Sequence, residues 1–147
     1  MHTYDNKPDD NKLTDENQLT YEKKPDENQL TDAIFKDKLN DHYKHYANVT
    51  SVYDADTITV DIDLGFNLCL KSQKIRFYGI NAIELRDPGG KEARDFIREL
   101  ILNKEVILYV DKYKKGKYGR WVGIIVQNNI NINKLIVDKG HGIYHKY

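Results

Sequence analysis

The sequence predicts an α+β fold, mainly β: a five-stranded OB-fold barrel with one helix between the third and fourth strands and a short C-terminal helix. Residues 46–147 contain five short segments with the apolar alternation of strands. A segment with a core-facing helical period lies between the third and the fourth, and a second helical segment follows the fifth. The pattern alone leaves other small α+β folds open.

The first three strands are indicated by alternating apolar residues and by the turns that separate them. In the first two strands the apolar positions are Val49, Val52, Ile58, Val60 and Ile62. Between these strands, residues 53–56 read Tyr-Asp-Ala-Asp, which is typical of a tight reversal, so a hairpin is predicted. Ile75 and Phe77 mark a third strand, which we expect to end at residues 79–81.

The clearest helical pattern follows the break at Pro88-Gly89-Gly90. Its apolar residues recur at the spacing of one helix face, and they are Ala93, Phe96, Ile97, Leu100 and Ile101. Two further apolar strands are predicted over residues 105–111 and 121–126, joined by a lysine-rich turn. Asn131 as N-cap and Gly140 just past the end delimit a second short helix.

The N-terminal part of the chain differs from the rest in charge and complexity. Residues 1–45 carry 7 basic and 11 acidic side chains and residues 46–147 carry 16 and 12, so the net charge of zero joins an acidic arm to a mildly basic body. Residues 7–15 and 24–32 form a degenerate polar repeat whose leucines follow no helical or strand period, which predicts disorder. An arm that folds over the basic body is the alternative interpretation.

One segment of this arm has an amphipathic pattern. Phe35, Leu39 and Tyr43 recur at i, i+4 and i+8, which predicts a short helix over residues 32–44. We therefore divide the chain into a low-complexity acidic arm, 1–45, and a domain, 46–147.

Cysteine usage and hydropathy exclude several classes of protein. The single cysteine, Cys69, cannot form an internal disulfide and lacks the spacing partners of a zinc site, so we expect it to be buried as a small apolar residue. No apolar run reaches signal-peptide length or the roughly 20 residues of a membrane span. We expect an intracellular monomer that makes no contact with a membrane.

Charged residues cluster at the ends of the predicted strands and in the loops beside them, where chemistry is usually placed on a rigid scaffold. The pieces that carry them are, in chain order, Val52-Tyr53-Asp54-Ala55-Asp56-Thr57, Arg76-Phe77-Tyr78-Gly79-Ile80-Asn81-Ala82-Ile83-Glu84, Glu92-Ala93 with Phe96, Lys117-Tyr118-Gly119-Arg120, and Asn133-Lys134-Leu135-Ile136-Val137 ending in Gly140. Together these pieces resemble the thermonuclease family of staphylococcal nuclease-like (SNase-like) nucleases over residues 46–147. Taken singly, each has an ordinary structural interpretation, such as a turn-forming aspartate.

The resemblance implies divalent-cation-dependent hydrolysis of phosphodiester bonds in DNA or RNA, with calcium as the expected ion and low sequence specificity. The matching metal-binding residues are Asp56, Asn81 and, through its main-chain carbonyl, Ala82, all oxygen donors suited to a hard cation. The matching catalytic residues are Glu84 as general base and Arg76 and Arg120 as donors to the phosphate in the transition state. The matching nucleic-acid-binding residues are Lys117, Tyr118 and Tyr144.

Three positions depart from the usual residues of the family. Ala55 stands where glycine is common, and if φ is positive there alanine costs about 1 kcal/mol and shifts Asp56. Asn81 replaces a metal-binding aspartate, which lowers the expected cation affinity. Ile83 replaces a proline, and this change is expected to loosen the loop that carries Glu84.

These departures leave a second hypothesis open, an SNase-like OB-fold module that binds nucleic acid with weak or no catalysis. The joint presence of a base and two arginines in register favours the enzyme. No segment matches the third helix of the family, and residues 31–45 are the candidate to cover that face.

Overall fold

The computed structural model describes residues 33–146. Over this range the strands are β1 (Lys44–Asp54), β2 (Thr57–Gly65), β3 (Leu68–Phe77), β4 (Ile80–Ala82), β5 (Glu105–Lys115), β6 (Trp121–Gln127), β7 (Ile130–Asn131) and β8 (Gly142–Tyr144). The helices are α1 (Gly90–Ile101) and α2 (Ile132–Asp138), with 3-10 turns at Lys36–Lys38, Asp41–Tyr43 and Lys117–Gly119. In the described range no helix has the length and apolar character that crossing a bilayer requires.

Five of these strands close into a barrel. Antiparallel pairing runs in the order β3-β2-β1-β5-β6, and parallel pairing of β3 with β6 joins the two edges. The closing pairs place Ile75 beside Trp121 and Arg76 beside Val122. α1 connects the third and fourth barrel strands and α2 follows the fifth, so the predicted OB-fold barrel with its two helices is confirmed.

The barrel core consists of the alternating side chains that predicted the strands. In β2 the side chains of Ile58, Val60 and Ile62 are buried, whereas Thr59 and Asp61 between them are partly exposed. Each large apolar side chain buried in this way contributes about 1.5–3 kcal/mol to folding.

Both helices predicted within residues 46–147 form at the predicted places. The fully buried residues of α1 are Ala93, Ile97 and Ile101, and Phe96 and Leu100 pack against the same core. Arg98 ties this helix to β1, since its Nη2 donates to the Val52 carbonyl at 3.1 Å. α2 is capped as expected, because the Asn131 side chain accepts from the Lys134 amide at 3.1 Å.

The third predicted strand divides in two, which corrects its expected end at residues 79–81. β3 ends at Phe77, and Ile80–Ala82 form the separate strand β4, which pairs antiparallel with β8. This separate pairing carries the chain after β3 away from the barrel sheet and toward the C-terminal segment.

The β2–β3 hairpin extends beyond the part of β3 that β6 covers, since β6 pairs with β3 only at residues 75–77. Its outer half exposes the large apolar side chains Leu64, Phe66, Leu68 and Leu70. Cys69 lies in this half and is exposed, so the expectation of a buried cysteine was wrong. Strand period alone does not show where a strand leaves the core.

The segment before β1 does not form the helix predicted over 32–44. Within its described part, the 3-10 turns at Lys36–Lys38 and Asp41–Tyr43 are separated by extended backbone at Asn40 (φ −114°, ψ 124°), whose side chain caps the second turn at the amide of His42. Phe35, just before the first turn, is fully buried, whereas neither 3-10 turn contains a buried residue. Residues 1–32 of the arm, for which disorder is predicted, lie outside the described residues, so this stays a prediction.

Phe35 joins this segment to the barrel. Its ring is fully buried and meets the rings of Tyr78 and Tyr144 at centroid distances of 6.4 and 6.5 Å. Lys38 adds an ion pair to Asp111 of β5, with Nζ 2.9 Å from Oδ1. The structural unit therefore includes residues before the boundary at 46, which itself lies inside β1.

Replacing Phe35 with alanine tests this attachment. Because the ring is fully buried, Phe35→Ala should lower the free energy of unfolding by about 3–5 kcal/mol, measured by urea denaturation. Phe66→Ala is the matched control, since Phe66 is 98% exposed and its loss should change stability by less than about 0.5 kcal/mol. Equal effects of the two substitutions would contradict the packing of this segment.

Candidate active site

The β1–β2 turn carries two carboxylates, Asp54 at the end of β1 and Asp56 just before β2. The Asp54 Oδ1 accepts from the Asp56 amide at 3.1 Å, and the Asp56 Oδ1 accepts from the Thr57 hydroxyl at 3.1 Å. The Ala82 amide donates to the other oxygen of Asp56, Oδ2, at 2.8 Å. Asp56 therefore fixes the turn to β4 while keeping its carboxylate largely buried.

Arg76 of β3 lies against the same carboxylate. Its Nη2 is 3.4 Å from the Asp56 Oδ2 and also donates to the Asn81 Oδ1, and its Nη1 donates to the Phe77 carbonyl at 2.9 Å. The guanidinium thus bridges the β1–β2 turn and β4. Because both of its terminal nitrogens, Nη1 and Nη2, donate hydrogen bonds, the orientation of the guanidinium beside the turn is fixed.

Arg120 reaches the turn from the opposite side. It precedes β6, and closure of the barrel by β3 and β6 brings this end of β6 beside β3. Its Nη1 lies 3.4 Å from the Thr57 hydroxyl oxygen, and its Nε donates to the Lys117 carbonyl at 3.3 Å. The guanidinium also lies over the Tyr118 ring, 5.3 Å from the centroid.

Glu84 follows β4 on a tight loop. Its carbonyl accepts from the Asp87 amide at 2.9 Å, and the backbone of α1 approaches closely at Gly90, where a Cβ atom would lie 2.0 Å from the Glu84 oxygen. Only glycine allows this contact. The Glu84 side chain is exposed and forms an ion pair with Arg86 at 2.9 Å. Such an exposed pair is weak, so the carboxylate can change partners.

These side chains converge in one cleft of about 810 Å³. Its lining residues are Tyr53, Asp54, Asp56, Thr57, Arg76, Asn81, Ala82, Glu84, Leu85, Arg86, Lys91 and Arg120. Every residue predicted for the catalytic and metal sites is among them. The cleft combines carboxylate and amide oxygens on one side with guanidinium groups around them.

The predicted nucleic-acid-binding residues lie in different places. Lys117 lines an adjoining cleft of about 590 Å³ that shares Arg76, Asn81 and Arg120 with the first. Tyr118 lines a groove of about 280 Å³ on the other side of Arg120. Tyr144 lines none of these three, since its ring lies against Phe35.

Burial and a neighbouring carboxylate both act on the ionisation of Asp54. Burial, followed by the neighbouring Asp56 carboxylate, raises the pKa of Asp54 from 3.8 to about 6. Arg76 lies beside Asp56, whose Oδ2 is 3.4 Å from the Arg76 Nη2. The raised pKa reflects the cost of placing a charged Asp54 in a partly buried position next to a second carboxylate.

The oxygen donors of Asp54, Asp56 and Asn81 fit a hard divalent cation, because a cation beside them would offset both the burial and the neighbouring negative charge that raise the pKa of Asp54. Asp56 and Asn81 already accept hydrogen bonds, but each of their oxygens has a second lone pair. Over residues 33–146 no three His, Cys, Asp or Glu side chains come together as a metal cluster. The contact that Ala82 makes in the cleft is through its N–H.

Sequence reasoning missed two residues of the cleft. Asp54 received no role of its own, although the Asp-x-Asp spacing in a hairpin turn is the signal that places both carboxylates together. Tyr53 also received none, although it follows the inward-facing Val52 and strand alternation directs it outward. It is 69% exposed at the rim.

The fold and the cleft define a small OB-fold barrel with a carboxylate and arginine site on its outer surface. The family model described as "Staphylococcal nuclease homologue" matches residues 74–147, and the chain belongs to this family. A thermonuclease from Staphylococcus hyicus is 33% identical over 98 residues, covering 63% of this chain and 54% of that protein.

Other relatives match part of this chain. A probable staphylococcal-like nuclease from Oryza sativa subsp. japonica is 40% identical over 76 residues, covering 52% of this chain and 20% of that protein. An uncharacterized endonuclease from Escherichia coli O157:H7 is 29% identical over 104 residues, covering 69% of this chain and 63% of that protein. The chain thus spans from about a fifth to less than two thirds of the length of these three relatives.

The raised pKa of Asp54 predicts a specific pH dependence of stability in the presence of a chelator. Because this pKa is higher in the folded than in the unfolded chain, the folded protein binds more protons between about pH 4 and pH 6, and its free energy of unfolding decreases as pH rises through that interval. Asp54→Asn removes this titration and should raise the Tm relative to wild type at pH 7, with little difference at pH 3.5.

The control is Asp63→Asn, an exposed carboxylate whose turn hydrogen bond to the Gly65 amide an asparagine can keep. Its Tm difference from wild type should not change with pH. A Tm difference for Asp54→Asn that is constant from pH 3.5 to pH 7 would contradict the proximity of the two carboxylates.

Proposed function

We propose that this domain is a divalent-cation-dependent nuclease that hydrolyses phosphodiester bonds of DNA or RNA with low sequence specificity. The observation that carries the proposal is the convergence of Asp56, Arg76, Glu84 and Arg120 in one cleft, although they come from four separate segments of the chain. Membership of a family with nuclease relatives supports the same reaction class.

Asp54, Asp56 and Asn81 are the residues that would hold the cation, and calcium fits their all-oxygen donor set. When bound, such a cation neutralises charge on a phosphate oxygen and favours ionisation of a water molecule. The donor set includes one amide in place of a carboxylate, so binding should be weaker than at a site with three acidic ligands.

Glu84 is the proposed general base. Its carboxylate lines the cleft from the loop after β4 and would accept a proton from the attacking water as the new bond to phosphorus forms and the P–O bond to the leaving nucleotide oxygen breaks. The ion pair with Arg86 is exposed and weak, so the carboxylate can leave it to act as the base. The rigid contact of its backbone with Gly90 limits how far this base can move from the phosphate.

Arg76 and Arg120 are the proposed phosphate-binding residues. Their guanidinium groups reach the turn from β3 and from the segment before β6, so they can contact different oxygens of one phosphate. As negative charge increases in the five-coordinate transition state, these donors are already oriented, and each is worth about a hundredfold or more in rate.

The residues around the cleft offer charge and aromatic surface, which suits binding to the sugar-phosphate backbone and to base faces. Lys117 and Tyr118 lie on the 3-10 turn just before Arg120 and line the two adjoining clefts. Contacts to backbone charge and to base faces carry no sequence information, which is why low sequence specificity is proposed. Tyr144 is not part of this proposed surface.

A nucleic-acid-binding module without catalysis is the second candidate function. The observations that favour it are that no three His, Cys, Asp or Glu side chains cluster within the described residues, and that position 81 in the cleft is an asparagine. Incubation with single- and double-stranded substrates, with calcium or with a chelator, separates the two candidates. Cleavage that a chelator abolishes supports the nuclease, and binding without any cleavage supports the module.

Replacement of the general base tests the catalytic proposal. Glu84→Gln keeps the size of the side chain but cannot accept a proton, so kcat should decrease by about 100-fold or more. Glu99→Gln is the matched control on α1, because its side chain is exposed and lines none of the three clefts. Thermal denaturation of both variants checks that the fold is intact. A Glu84→Gln enzyme with wild-type kcat would disprove the assigned role.

Restoring a carboxylate at position 81 tests the cation site. Asn81→Asp adds a negative ligand, so the calcium concentration that gives half-maximal rate should decrease several-fold, and calcium should raise the Tm more than in wild type. Asn128→Asp adds the same charge on the exposed β6–β7 turn and should leave both titrations unchanged. If the two variants titrate alike, position 81 is not a cation ligand.

A further inference from the structure

The outer half of the β2–β3 hairpin leaves the barrel as a two-stranded ribbon. Within the described residues, β1 pairs with β2 only as far as Ile62, and β6 pairs with β3 only at residues 75–77. Beyond these points neither outer edge of the hairpin has a neighbouring strand among residues 33–146. A two-stranded ribbon is marginally stable in water unless one of its faces packs against another surface.

One face of this ribbon is apolar. Ile62 pairs with Leu70 across the two strands. Side chains two residues apart in a strand point to the same side, so Leu64 shares this face through β2 and Leu68 shares it through β3. The exposed fraction rises along the face with distance from the core, from 4% for Ile62 to 38% for Leu70, 45% for Leu64 and 60% for Leu68. Leu64, Leu68 and Leu70, with Phe66 at the tip, form what we call the apolar strip.

The opposite face of the ribbon is polar and charged. Asp63 pairs with Cys69 there, and Lys71 forms an exposed ion pair with Asp61, with 3.4 Å between Nζ and Oδ2. Surface segments that bind membranes are rich in lysine and arginine on their polar face, which meets anionic lipids. Two aspartates beside one lysine do not match that composition. The apolar strip therefore suits a protein partner better than a lipid surface.

The β3 edge of the ribbon is irregular. Ser72 has a positive φ of 56°, and the pairing with β2 shifts register between Gln73 and Leu70. The Gln73 Nε2 also donates to the Lys71 carbonyl at 2.8 Å. Bulges and backbone groups already satisfied by side chains keep other strands from pairing with an edge. A partner is therefore expected to pack against the face of the ribbon and not to extend its sheet.

Phe66 is explained neither by the core nor by the turn that carries it. Its side chain is 98% exposed. Phe66 and Asn67 have positive φ values of 54° and 62°, at the centre of a two-residue hairpin turn where asparagine, aspartate and glycine are preferred. A bulky aromatic residue is uncommon in this conformation. Contact with another molecule at the apolar strip would bury the ring.

We propose that the apolar strip is the interface of a homodimer, in which the strips of two copies pack face to face across a two-fold axis. The strip exposes on the order of 400 Å² of apolar surface. A standard interface buries about 800 Å² per partner, of which somewhat more than half is apolar, so the strip supplies most of the apolar area required. A second copy offers an uncharged face of the same size, and one two-fold contact covers both strips.

The proposed interface lies away from the candidate active cleft. Thr57 lines that cleft at one end of β2, and Leu64 lies near the other end, roughly 20 Å along the strand. Two-fold packing of the strips therefore leaves both clefts open. The dimer does not depend on the proposed nuclease function, and it replaces the monomer expected from the sequence.

Sedimentation velocity of the full chain, from about 1 µM to several hundred micromolar, tests the dimer. Wild type should shift toward twice the 17.2 kDa of the chain, with a Kd on the order of 10 µM. Leu68→Glu places a charge in the strip and should raise this Kd at least about tenfold. Ile143→Glu is the matched control and should leave the Kd unchanged, since Ile143 is an aliphatic residue of β8, 67% exposed and outside the strip. Thermal denaturation at the lowest concentration, where the monomer prevails, checks that both variants fold.

Cys69 allows a second measurement that locates the interface. It is exposed, it is the single cysteine of the chain, and it lies in the hairpin. Donor-labelled and acceptor-labelled copies should show energy transfer when mixed, because two packed sheets lie about 10 Å apart. An excess of unlabelled wild type should abolish the transfer, whereas an excess of unlabelled Leu68→Glu should leave most of it.

Three outcomes would overturn the homodimer. One is a wild type that keeps the monomer mass at every concentration. Another is a dimer whose Kd does not respond to Leu68→Glu, or responds equally to Ile143→Glu, since its interface would then lie elsewhere. The third is binding of wild type, and not of Leu68→Glu, to phosphatidylcholine vesicles without self-association, which would assign the strip to a lipid surface.

Discussion

Parallel pairing of β3 with β6 is the constraint on which the cleft depends. It places Arg76 beside Val122, so Arg120, which precedes β6, reaches the same turn. A buried asparagine fixes this closure: the Asn133 Oδ1 accepts from the Ile125 amide, and its Nδ2 donates to the carbonyls of Tyr78 and Gly123. Its oxygen and both of its amide hydrogens are thus hydrogen-bonded to the backbone, where an unpaired buried amide would cost about 1–3 kcal/mol. The positions of the two arginines therefore depend on this packing as well as on their own contacts.

The parts of the fold that local pattern determines could be predicted from sequence. Periodicity predicts α1 and the β1–β2 hairpin, because each of these elements buries one face against the core and leaves the other face partly exposed. Phe35 could not be placed in this way, because its burial depends on rings that β8 and the end of β3 bring near it. The same limit explains Cys69, because only tertiary pairing shows where a hairpin leaves the barrel.

The candidate site was predictable in its residue types and not in its contacts. The resemblance of their sequence pieces to the thermonuclease family predicts Asp56, Arg76, Glu84 and Arg120 as site residues, and the fold places all four in one cleft. Nothing in the local sequence indicates that the Ala82 amide donates to Asp56. Through this hydrogen bond, a proposed cation ligand also links the β1–β2 turn to β4. The link preorganises the cleft.

The departures from the usual family residues are accommodated by this backbone. Ala55 has no positive φ, so the expected strain does not arise, and Ile83 donates its amide to the His141 carbonyl at 2.9 Å, a bond that proline cannot make. Asn81 is different, because it changes the charge of the site. The pKa of Asp54 is raised first by burial and then by the neighbouring Asp56 carboxylate, and a further carboxylate at position 81 would add to that repulsion. An amide at position 81 accepts from Arg76 without adding a negative charge, and under the proposed function it would bind a cation more weakly than a carboxylate would.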